Sequence, residues 1–342
     1  MRLLGSLLAG LFLATLIVLV AERVIAPAEV VAAPAPAPAV APPTSAATPV
    51  AAGPAAAELW ARAAKEDWPA LVAKAESGDA EAQFHRAMGL LTGGFEPANL
   101  AQARRWFERA ADQGHGRALN ALGECESTGE FGAPNHTRSA WYYREAWKAG
   151  EPMGMFNLGL QAEHGLGRAQ DVAETLRCFR LAADRGCAAA LNQLGLIHME
   201  GDLAPKDEGQ AIAYFRQAAE KGNALAWLNL AIAYRLGEGV SPDKTLALVC
   251  AREAWEQGEV GGGFLVGELL TEAGGDPAEA FGYLLAARSC DESPESVARF
   301  RRLVRPLLDK VETAEARQRG TDTEQRLLAD RARRQLREIF GR

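Results

Sequence analysis

Apolar and polar positions divide the chain into three regimes. Residues Leu3 to Ala21 carry no charge and consist mostly of Leu, Val, Ile and Ala. As a helix this run spans about 28 Å, close to the ~30 Å hydrocarbon core of a bilayer. Residues 26–57 are almost wholly Ala, Pro, Val, Thr and Ser, with Glu29 as the only charge. That composition cannot build a packed core and prefers extended conformations, reaching about 100 Å at full stretch. From Glu58 onward helix formers dominate, with apolar residues at Leu59, Ala63, Leu71, Val72 and Ala75 and Pro69 predicting a break.

The third regime is periodic. Gly78, Gly114, Gly150, Gly186, Gly222 and Gly258 recur every 36 residues, and a fixed period of this length marks stacked supersecondary units. Nine residues after each stands a small residue, Ala87, Gly123, Gly159, Gly195, Ala231 and Gly267. A mid-helix glycine costs about 1 kcal/mol against alanine, so close approach of a neighbouring helix is expected there. Gly93, Gly129, Gly165, Gly201 and Gly237 are placed to end the first helix of each unit. Asn99, Asn135, Asp171, Asp207 and Asp243 are placed to cap the second, and Asp276-Pro277 repeats that signal in the sixth unit. The second helices carry bulky pairs, Trp106-Phe107, Tyr142-Tyr143, Cys178-Phe179 and Tyr214-Phe215. Small pairs follow at Ala110-Ala111, Ala182-Ala183 and Ala218-Ala219, so large residues can pack opposite small ones.

In combination these motifs resemble the Sel1-like repeat, a relative of the tetratricopeptide repeat. Ala188 to Gly222 matches it most closely, through Ala190, Leu194-Gly195, Gly201, Asp207, Ala211, Tyr214-Phe215 and Ala218-Ala219. The resemblance covers roughly residues 78–288 and implies an all-α, right-handed solenoid of about six units, used mainly for protein contacts. Arg86 in the first unit and the degraded sixth unit depart from the pattern, as terminal units facing water would. The cysteines do not recur at one repeat position, so the disulfide that some exported members carry within each repeat is not expected.

Beyond the repeats, Val297, Phe300, Val304, Leu307 and Val311 predict an amphipathic helix, with Pro306 as its only kink point. Thr321 and Glu324 read as a capping box opening a final helix with Leu327, Leu328, Leu336, Ile339 and Phe340. The organisation is thus 1–25 anchor or signal sequence, 26–57 linker, 58–78 leading helix, 79–290 repeats and 291–342 C-terminal helical cap. Arginines around Arg301-Arg302 and Arg331 to Arg337 either form a solvated helix face or touch an acidic partner or lipid headgroups.

A net charge of -7 argues against a nucleic-acid binder. Cys125, Cys178, Cys187, Cys250 and Cys290 show neither a disulfide framework nor zinc spacing and read as small buried hydrophobes. No H-E-x-x-H pair exists; only Glu163-His164 and His198-x-Glu200, at helix ends one unit apart, could approach each other. The sequence therefore predicts no catalytic residue, metal or cofactor, and a chain that is not an enzyme. Binding is the expectation. Asn120, Asn157, Asn192 and Asn229 lie in corresponding parts of the first helices, which tend to line the concave side of such superhelices. With His85, Gln161 and Gln193 they form a polar strip suited to an extended peptide, or one that ties neighbouring backbones together.

The reading is a membrane-anchored scaffold or adaptor holding a protein or peptide partner, with a solenoid-borne envelope enzyme or glycan binder as the alternative. Arg2 precedes the apolar run and Glu22 offsets Arg23 after it, which favours a cytoplasmic N-terminus and a periplasmic body on a bacterial inner membrane. Cleavage after Ala32 or Ala33, giving a soluble periplasmic or secreted protein, is the other outcome.

Overall fold

A computed structural model describes residues 67–291, 293–308 and 314–340, and among these the chain is entirely helical. The expected anchor, the linker and the start of the leading helix lie outside the described residues. The leading helix, α1, is described over 67–76, with Pro69 in its first described turn, so the expected break falls at the edge of the described residues.

Six hairpins follow. Their first helices are α2 (Ala80–Thr92), α4 (Gly116–Thr128), α6 (Pro152–His164), α8 (Ala188–Glu200), α10 (Ala224–Leu236) and α12 (Val260–Glu272). Their second helices are α3 (Leu100–Asp112), α5 (His136–Lys148), α7 (Val172–Asp184), α9 (Glu208–Glu220), α11 (Lys244–Glu256) and α13 (Pro277–Cys290). Two further helices, α14 (Pro294–Leu308) and α15 (Ala314–Phe340), complete the chain. Each helix of the six hairpins packs on its neighbours in sequence, which is the one-dimensional logic of a solenoid, while α15 folds back on α13.

The hairpin ends are built as the spacing predicts. Gly201 closes α8 in the left-handed region at φ 79°, and a Cβ there would lie 2.8 Å from that of Lys206. Asp207 then starts α9, its carboxylate accepting from Gln210 N–H at 2.9 Å. Its own N–H donates to the His198 carbonyl of α8 at 2.8 Å. The same double tie recurs at Asn99, Asn135, Asp171 and Asp243, so one residue caps the second helix and clamps it to the first.

Within each hairpin the small residue meets the bulky one. A Cβ on Gly195 would stand 2.5 Å from the Phe215 ring, and Gly123 and Gly159 are pressed in the same way by Tyr143 and Phe179. In the fifth unit Ala231 takes the glycine position and Ala251 the aromatic one, so the added methyl is matched by a lost ring. Gly261, Gly262 and Gly263 lie inside α12, where backbone or side chains of α10 and α11 approach each of them.

Three expectations are corrected. The first unit does not face water, because Trp68 of α1 lies over Gly89 and stacks on Phe95 at 4.8 Å. Arg86 is correspondingly enclosed, pairing with Glu76 at 2.9 Å and lying over the Trp106 ring. The sixth unit is covered too: α15 packs along α13, with Gly282 against Thr323 and Gly320 against Phe281. Third, Thr321 does not open a helix. It sits inside α15 with its hydroxyl donating to the Arg317 carbonyl at 3.2 Å, while Glu324 accepts from Ser289 across the interface. Once α13 offers an apolar surface, packing carries the helix through a local start signal. Pro306 lies within α14 with Phe300, Val304 and Leu307 buried; Val311 is outside the described residues.

Candidate functional site

The first helices present one shared face along the array, and all seven residues of the expected polar strip lie on these helices. Each is buried, from 1% exposed at Asn192 to 7% at His85, Asn120 and Asn229. The strip largely satisfies itself. Asn157 Nδ2 donates to Asn120 Oδ1 at 2.9 Å, and Asn229 Nδ2 donates to Asn192 Oδ1 at 2.9 Å. Each pair is offset by 37 residues, one more than the period, so the fifth residue of one first helix meets the sixth of the next. Gln161 donates to Ser139, and His85 contacts Glu81 at 2.9 Å. Burial lowers the His85 pKa, which keeps the ring neutral near pH 7.

Carboxylates that sequence reasoning left out of the strip complete it. Glu124 accepts from Asn120 at 2.9 Å and from Asn157 at 3.3 Å, closing a triangle across two units. Burial pushes its carboxyl up to about 7 against the opposing pull of those two amides. The signal was present, since Glu124 stands four residues after Asn120 and shares its helix face. At the array's start, Glu81 gathers His85, His115 and Arg117. Burial alone would raise the Glu81 pKa, but the His115 hydrogen bond and the Arg117 charge outweigh it and hold the carboxyl below its ordinary range.

Glu163 and Gln193 meet between the third and fourth units. Burial and then the charge of Asp202 raise the Glu163 carboxyl to about 7, Gln193 hydrogen bonding opposes this, and Glu200 adds to it. The two helix ends carrying Glu163-His164 and His198-x-Glu200 therefore do face each other. His198 nonetheless turns its Nδ1 to the Pro205 carbonyl, and no group of three metal-ligating side chains forms among the described residues.

Between the polar groups runs an apolar stripe. The ninth residue of successive first helices is Glu124, Leu160, Leu196, Ile232 and Glu268, and all five are half-buried. Three aliphatic side chains thus lie in register between two acids. Glu268 is neutralised by Arg235 at 2.8 Å and by Arg299 at 3.6 Å; Glu124 has only its amides. Four of the five thiols are poor nucleophiles: Cys125, Cys178, Cys187 and Cys250 are buried, and burial raises all four, Cys187 and Cys250 to about 11.

Comparison with known proteins agrees with this architecture. The Sel1 repeat model matches five consecutive units, residues 80–115, 116–151, 152–187, 188–223 and 224–259, more than half of the chain. No curated protein is significantly similar in sequence. Among solved structures, a protective antigen of uropathogenic Escherichia coli with an SLR fold is 24% identical with a TM-score of 0.57. That match covers 82% of this chain and 61% of the longer antigen. A Sel1 repeat protein from Oxalobacter formigenes is 23% identical, with a TM-score of 0.52 over 70% of this chain and 96% of that one. At these identities the likeness is one of fold. With five matched units, the repeat hairpins and their caps all in agreement, the chain belongs to the Sel1 repeat family.

Proposed function

We propose that the chain is a membrane-anchored scaffold whose repeat body, exported to the periplasm, holds a protein partner along the concave face formed by its first helices. The in-register stripe of Leu160, Leu196 and Ile232 between Glu124 and Glu268 carries this reading. These three side chains pack against the core yet keep part of their surface open at one position of successive first helices, where an extended segment lying across the units would meet them. The polar strip beneath supplies the rigid floor. The uncharged run from Leu3 to Ala21 supplies the anchor and residues 26–57 the spacer.

Two measurements test the proposal. Full-length chain carrying Leu160→Ser, Leu196→Ser and Ile232→Ser together should recover its partner at least about tenfold less well in affinity capture, while circular dichroism shows the helices retained. Unchanged recovery would mean that the partner binds elsewhere. For topology, added protease should cut the body only after the outer envelope is opened; protection until the cytoplasmic membrane is lysed would place the body in the cytoplasm.

A further inference from the structure

The second helices of the first three units carry a charge pattern that neither the stacking of units nor the polar strip uses. Their sixth residues are Arg105, Trp141 and Arg177, and the ninth residues of α5 and α7 are Arg144 and Arg180, all of them exposed. Arg138, three residues before Trp141, is exposed as well. Residues three apart on a helix share a face, and equal positions in successive units follow one another along the array. Trp141 therefore stands at the centre of a grid of arginines drawn from three helices. The helices are laced together at two points. Arg104 of α3 and Arg138 of α5 meet at the buried Glu126, at 3.4 and 2.9 Å. Arg185, just past α7, donates to the Trp147 carbonyl of α5 at 3.0 Å.

Much of this grid is unspent. Arg105, Arg144 and Arg180 form no ion pair among the described residues. The helices α3, α5 and α7 together hold eight Lys and Arg against five Asp and Glu, in a chain whose net charge is -7. Trp141 keeps 53% of its surface open, and its ring contact is with Tyr142, edge-on at 4.9 Å. Two neighbouring tryptophans are covered by cations instead, Trp106 by Arg86 and Arg109, and Trp147 by Arg185.

We propose that this grid docks the repeat body onto anionic lipid headgroups, with the arginines on phosphate oxygens and Trp141 in the headgroup layer. An arginine fork matches phosphate oxygens in pairs, and an apolar ring with one N–H suits the boundary between water and lipid. Lipids move sideways to meet each arginine, so a grid spread over three protruding helices needs no groove. A protein segment would need its carboxylates preset at the same spacing. Place in the chain selects the surface as well. The grid belongs to the three units nearest the uncharged run Leu3 to Ala21, and residues 22–66 tether those units within reach of the bilayer that would hold it. Such a tether keeps the local headgroup concentration high, so contacts that are weak singly can engage together. The inference rests on the anchor in the reading above and not on the partner held by the first helices.

The test reconstitutes full-length chain into vesicles of phosphatidylcholine brominated on its acyl chains near the headgroup, with or without phosphatidylglycerol. The emission of Trp141 is read as the difference between wild type and Trp141→Phe. Quenching of that emission should be at least about threefold stronger with phosphatidylglycerol, and it should fall severalfold in ~1 M salt, where charges are screened beyond about 3 Å. The chain carrying Arg105→Gln, Arg144→Gln and Arg180→Gln together should lose most of the quenching while circular dichroism shows its helices retained. Quenching that is absent, equal in both vesicles, or indifferent to the three substitutions overturns the grid. So does a photo-crosslinker at position 141 that yields a defined protein adduct in cells. Alkaline carbonate separates the two levels: chain that it extracts from the vesicles refutes the anchor, whereas inserted chain with unquenched Trp141 refutes the grid alone.

Discussion

At the residue scale, Glu124 is the most informative side chain. Its two amide partners come from two different units, so its protonation reports on how those units meet. A carboxyl raised from 4.5 to about 7 on folding binds more protons folded than unfolded across that window. The stability associated with it is therefore fully present below pH 4.5 and lost as pH rises through about 7. Glu124→Gln retains an acceptor for both amides but cannot ionise. Relative to wild type it should be neutral near pH 4.5 and stabilising by about 2 kcal/mol at pH 8, read as the difference in urea midpoints. A gain that is the same at both pH values would contradict the assignment. The asparagines show what sequence alone withholds. Their recurrence is visible, but that Asn120 meets Asn157 and Asn192 meets Asn229 depends on a one-residue offset that only the stacked helices define.

At the scale of the helix pair, nearly everything was legible. The glycine that ends the first helix, the Asn or Asp that caps the second, and the small residue under the bulky one all follow from local backbone rules repeated at one spacing. Gly195→Ala tests the last of these, because its Cβ would stand 2.5 Å from a ring atom of Phe215. It should destabilise by about 1–3 kcal/mol despite the better helix propensity of alanine, and Phe215→Leu in the same chain should relieve part of that cost. A stabilised single variant, measured by thermal unfolding, would mean that the helices slide apart freely. Legibility ended where elements meet out of sequence order. Thr321 and Glu324 satisfy a local start rule, but α15 runs through them because α13 gives it a surface to cover. The covering of Gly89 by Trp68 is likewise a tertiary choice with no periodic signal.

At the scale of the whole molecule, the terminal helices complete the array. Leu327 and Leu328 of α15 are buried, and Gly282 of α13 packs against Thr323. Deleting residues 314–342 should open the sixth unit without melting the others, since each unit depends on its neighbours alone. Hydrogen exchange in full-length chain and in the deletion should then differ in α12 and α13 and agree in α4 to α8. Uniform loss of protection would show one cooperative body instead.

The central claim is that the first helices, not the second, meet the partner. A photo-crosslinking amino acid placed at position 196 in the full-length chain, in its own cells, tests it most directly, with position 213 on α9 of the second-helix series as the comparison. The account expects one defined protein adduct from position 196, carried also from positions 160 and 232, and none from position 213. Adducts from position 213 with none from the three inner positions would contradict it.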